Sequence, residues 1–79
     1  MKAIIDIHLK NGVLDTAGKA TQNTLEMLHF KSIKNVNIGK QIIINIDESD
    51  KKKGREEIDK MCKQLLVNDV IEDYSVEII

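Results

Sequence analysis

The chain has 79 residues, 42% of them hydrophobic and 32% charged, with a formal net charge of −1 and one cysteine. That length holds a single domain, residues 1–79, with a core of marginal size; the near-neutral balance argues against a polyanion partner, and a lone cysteine excludes an internal disulfide. No stretch approaches the roughly 20 apolar residues of a membrane span, and "MKAIIDIHLK" lacks the apolar run of a signal peptide, so a cytoplasmic protein is expected, with neither membrane nor nucleic acid as partner.

Taken in chain order, Lys2–Lys10 alternates with period two. Ala3, Ile5, Ile7 and Leu9 share one parity, which predicts a strand with one buried face. Asn11-Gly12 is a turn signal. Over Thr16–Phe30, Ala17, Ala20, Thr24, Leu25 and Leu28 fall at helical spacing with Met27 beside them, and Asp15 or Thr16 can cap the amino-terminal end. Gly18 weakens that first turn, and marks either a close backbone approach or a helix that starts later.

Asn35–Asp47, "NVNIGKQIIINID", reads as one long strand bent at Gly39. Val36, Ile38, Ile42, Ile44 and Ile46 share a parity that a two-residue hairpin at Gly39-Lys40 would break. Asp50–Val67 carries the cleanest helical stripe, Ile58, Met61, Cys62, Leu65 and Leu66. The cations of "DKKKGR" oppose the helix dipole, so this helix is expected to gather strength only from Arg55. In Val70–Ile79, Tyr74, Val76 and Ile78 alternate with Asp73, Ser75 and Glu77 to give a last strand.

The order β-α-β-α-β implies an α/β (α+β, ferredoxin-like-related) two-layer sandwich, with one long bent central strand and two helices on one face. Such a strand outruns its neighbours and leaves unpaired backbone groups beside isoleucines. Completion of the fold by oligomerisation, as homodimer or homotetramer, is therefore expected, with Ile38, Gly39, Lys40, Ile42, Ile43 and Ile44 as interface candidates.

Chemistry is sparse. His8 falls on the outer face of the first strand, His29 at a helix end, and neither has ligand spacing around it. Cys62 lies on an apolar stripe and reads as a small buried hydrophobe. "VLDTAGKAT" has no Walker spacing, although the helix start Thr16–Lys19 could meet an anion or a partner. "DKKKGR" has no aromatics near it and reads as solvated surface, and Asp69, Glu72 and Asp73 read as turn residues. No catalytic, cofactor-binding or metal-binding residue is assigned.

The string "MCKQLLVNDVIEDYSVEI", with "GVLDTAGKA" and "VNIGK", resembles the PurS-type small subunit of phosphoribosylformylglycinamidine synthase over nearly the whole chain. The resemblance rests on Met61-Cys62, Leu65-Leu66, Asn68, Val70 to Tyr74, Val13-Leu14-Asp15 with Gly18, and Gly39-Lys40. It implies a non-catalytic subunit of a ligase in purine biosynthesis. That subunit would bridge a PurQ-type glutaminase and a large PurL-type ATP-dependent synthetase and support ammonia transfer between them. By the same resemblance the complex would use ATP and Mg, with neither bound by this chain. Thr16 departs from the proline usual in the family, and Asn37 from a frequent arginine. The alternative is a small-ligand-sensing dimeric α/β module. A stand-alone enzyme in a ferredoxin-like frame would need more than the single Arg55.

Overall fold

Strand β1 (Lys2–Leu9) forms where the alternation predicts it, with Ala3, Ile5 and Ile7 sealed from solvent and Lys2, Asp6 and His8 exposed. A computed structural model describes all residues, Met1–Ile79. β1 lies between β2 (Lys40–Asn45) and β3 (Glu72–Ile78), both antiparallel to it, in the order β2-β1-β3. The register aligns Ile42, Ile5 and Val76 in one row and Ile44, Ala3 and Ile78 in the next, so one face of the sheet is aliphatic throughout. The central place thus belongs to β1, not to the strand after the first helix. The odd-numbered residues of β1 bond toward β2 and the even-numbered toward β3, as Ile46 N–H to the Met1 carbonyl and Ile79 N–H to the Lys2 carbonyl fix at one end.

The expected strand Asn35–Asp47 is shortened to Lys40–Asn45. Pairing ends where Lys40 meets Ile7: beyond it the Ile38 N–H turns to the Asp15 carboxylate and not to Leu9, the last residue of β1. Gly39 marks the limit: a Cβ there would come within 2.6 Å of the Ile7 carbonyl oxygen.

Helix α2 (Lys51–Met61) begins at Lys51, ahead of the expected Arg55, because Asp50 accepts from the Lys52 and Lys53 N–H groups at 2.9 and 3.4 Å and offsets the unfavourable cations. It packs Ile58 and Cys62 on the aliphatic face of the sheet, and these join Ala3, Ile5, Ile7 and Val67 in the core. From Cys62 to Leu66 the helix widens into one π turn, closed by Val67 N–H to the Cys62 carbonyl at 3.0 Å. The extra residue in that turn swings Leu65 out of the predicted stripe, and its side chain faces water. At the outer edge of β3, Arg55 donates to the Val76 carbonyl at 3.2 Å and covers part of the exposed backbone.

Helix α1 (Thr16–Met27) differs most from expectation. It does not lie on the sheet beside α2. It projects as an arm, and Gly18 is its one buried residue. Gly18, Gln22 and Leu25, at spacings of four and three, face inward, as do Ile33 and Val36 of the returning chain. The helix ends with Phe30 N–H on the Leu25 carbonyl and His29 N–H on the Glu26 carbonyl, and His29 takes the left-handed φ of +71° that this closure requires. With the arm extended, the radius of gyration is 16.1 Å, against about 12 Å for a compact chain of this length.

Candidate subunit interface

Two surfaces remain open because α1 stands off. The first is a cleft of about 390 Å³ at the end of the sheet that α2 does not cover, floored by Ile7, Leu9 and Ile71 and walled by Val13, Leu14 and Ile38. Across it Lys40 and Glu72 pair at 3.7 Å, a half-exposed contact worth under about 1 kcal/mol. Glu72 also accepts from the Asn68 N–H at 2.9 Å, and Asn68 accepts from the Val70 N–H at 3.0 Å, so Glu72 serves the turn before β3 as the sequence implies. The second surface is the outward side of α1, where Ala17, Ala20, Thr24, Met27 and Leu28 are all exposed, with Leu14 before them and Phe30 beyond.

The interface candidates divide between places. Ile38, Gly39 and Lys40 line the cleft. Ile42 and Ile44 are half-buried and pack against the core beneath α2. Ile43 points to the opposite face, half exposed beside Ile4. Gln41, Ile43 and Asn45 are the β2 residues whose backbone groups point away from β1, so the outer edge of β2 is open. Leu14, Met27, Leu28, Phe30 and Ile71 were not singled out as interface residues. For Met27 and Leu28 the only signal was the helical stripe, whose small residues fit a close neighbour as well as a sheet; Leu14, Phe30 and Ile71 lie outside any stripe and gave none.

At the arm's base, the Asp15 carboxylate caps α1 by accepting from the Gly18 N–H at 2.7 Å, and its second oxygen accepts from the Ile38 N–H at 2.8 Å. The bond from Ile38, then that from Gly18, holds Asp15 below the usual carboxylate range. In the core, burial pushes the Cys62 thiol up, with the Asp59 carboxylate adding to it. Tyr74 is likewise raised, first by burial and then by Asp59, to which its hydroxyl donates at 3.4 Å. A thiol kept neutral in this way is a packing group, as its place on the stripe predicts.

Fold and surface together define a small open-faced α+β subunit, whose largest apolar surfaces face outward on an arm and a cleft. The family described as PurS, phosphoribosylformylglycinamidine (FGAM) synthase, matches residues 2–79. The Methanocaldococcus jannaschii subunit PurS of that synthase is 40% identical over 77 residues, covering 98% of this chain and 93% of its own. The Bacillus subtilis subunit is 36% identical, covering 98% and 90%. Among solved structures, M. jannaschii PurS superposes with a TM-score of 0.88 at 42% identity, covering 96% of this chain and 92% of that one. A chain of the PurLQS structure from Thermotoga maritima also reaches 0.88, at 32% identity and covering 96% and 93%. The chain belongs to the PurS family and is a subunit of phosphoribosylformylglycinamidine synthase, a ligase complex.

Proposed function

We propose that this chain is the non-catalytic assembly subunit of its synthase: a homo-oligomer that docks a PurQ-type glutaminase against a PurL-type synthetase and supports the passage of ammonia between them. One observation carries the reading. A folded monomer of 9.0 kDa exposes about 4,900 Å². This chain exposes 6012 Å², an excess of roughly 1,100 Å², and its exposed hydrophobics include Leu14, Met27, Leu28 and Phe30 on the arm and Ile38 and Ile71 at the cleft. A standard interface takes about 800 Å² from each partner, so a second copy can absorb the excess. The solved PurLQS assembly from T. maritima supports association with the two larger subunits.

The chemistry explains the need for such a part. At neutral pH free ammonia takes up a proton and loses the lone pair that would attack the activated substrate. A protein that holds source and acceptor sites together shortens its exposure to water. In this reading ATP and Mg belong to the large subunit, this chain binds neither, and the complex works in the cytoplasm.

The test is reconstitution. Light scattering of the chain alone should give a dimer or tetramer mass at micromolar concentration. Mixed with the two larger subunits, it should restore synthesis driven by glutamine while changing synthesis driven by added ammonia far less. Equal glutamine-driven rates with and without the chain would end this reading.

A further inference from the structure

The string Val13-Leu14-Asp15…Gly18 is not explained by capping alone. Capping needs one carboxylate oxygen, and Asp15 uses both, reaching Gly18 and, 23 residues further on, Ile38. The Asp15–Ile38 bond is the one hydrogen bond that ties the start of α1 to the returning segment. Around it the fit is tight. A Cβ on Gly18 would collide with the Val36 carbonyl oxygen and with Asp15 itself, and one on Gly39 would press on the Ile7 carbonyl. Three adjacent contacts, Gly18 on Val36, Asp15 on Ile38 and Gly39 on β1, therefore hold the base of the arm. Two of them require glycine, and the third is a single half-buried side chain.

We propose that Asp15 is a positioning residue for assembly: its two-pronged grip sets the direction in which α1 leaves the sheet, so that Leu14, Met27 and Leu28 are presented ready-oriented to a second copy of the chain. The proposal rests on the homo-oligomer reading above. Its physical basis is preorganisation, since an arm already held in its bound direction loses less freedom on docking. The core plays no part in this grip, because Asp15 lies outside the cluster formed by β1, α2 and Val67.

Asp15→Ser separates the two prongs. Serine is a good cap and keeps the bond to Gly18, but it cannot also hold Ile38. Gly18→Ala disturbs the same base from the other side by displacing Val36. Self-association is measured by sedimentation across concentration, the core by thermal unfolding of the dissociated chain at a dilution where wild type and variants are all monomeric, and the complex by glutamine-driven against ammonia-driven synthesis. Both variants should self-associate at least tenfold more weakly with the core transition unchanged. Glutamine-driven synthesis should fall selectively and return when the variant chain is supplied in excess. Wild-type self-association in Asp15→Ser overturns the proposal, as does a lowered core transition, which would make Asp15 a prop of the fold. A monomeric wild-type chain would instead remove the homo-oligomer reading itself, and the unmodified protein alone shows that.

Discussion

Replacing Leu14 by alanine examines the open surface directly. Leu14 is 75% exposed in the single chain and stands at the mouth of the cleft, where nothing in its own protomer covers it. Fully burying a leucine stabilises by about 1.5–3 kcal/mol, so covering the exposed three quarters contributes about 1–2 kcal/mol per copy. In a two-fold dimer the residue is buried twice, giving about 2–4 kcal/mol per dimer, or a loss of about 1.5–3 decades in Kd on truncation. Leu65→Ala is the matched control, because Leu65 is 83% exposed but sits on the π turn away from cleft and arm. Sedimentation equilibrium over nanomolar to micromolar chain should show weakened association for Leu14→Ala and an unchanged constant for Leu65→Ala. If both variants match the wild type, the cleft mouth is not where copies meet, and assigning the excess area to that interface is wrong.

Other outcomes follow from single sites. Ile58 is wholly enclosed, and Ile58→Ala should lower unfolding free energy by about 2–5 kcal/mol in denaturant titration, a large share of what so short a chain can hold. His29→Gly relieves a side chain from φ +71° and should stabilise the end of α1 by about 0.5–1 kcal/mol, read as slower amide exchange at His29 and Phe30. Cys62 should react with thiol reagents at the rate of unfolding rather than that of an open thiol. Because its folded pKa is raised, its contribution to stability is whole below the unfolded thiol's 9.0 and fades as pH climbs above that, which unfolding curves at successive pH values will show.

The elements most legible in the sequence were those whose partners lie within the chain. β1 and β3 alternate because each has one face against α2 and one against water, and that period is written in Ala3, Ile5, Ile7, Tyr74, Val76 and Ile78. α2 shows its stripe for the same reason, until the π turn displaces Leu65. The strand reading of Asn35–Asp47 was right in parity and too long in extent. Parity is a property of side chains, whereas a strand also needs its backbone bonded to a neighbour, and past Lys40 the Ile38 N–H is given to the Asp15 carboxylate instead of β1. Of the interface candidates drawn from that segment, Ile38 lines the cleft, whereas Ile42 and Ile44 pack against the core.

The sequence by itself determined which residues could be strand or helix, which faces are apolar, and the family to which they belong, because local period and side-chain chemistry are carried residue by residue. Where α1 goes was decided only by the tertiary structure. An apolar stripe does not say which surface will cover it, and the same Ala17, Ala20, Met27 and Leu28 would suit the chain's own sheet or another copy. The choice was made at Asp15, Gly18 and Gly39, where two backbone approaches and one shared carboxylate turn the helix away from its own core.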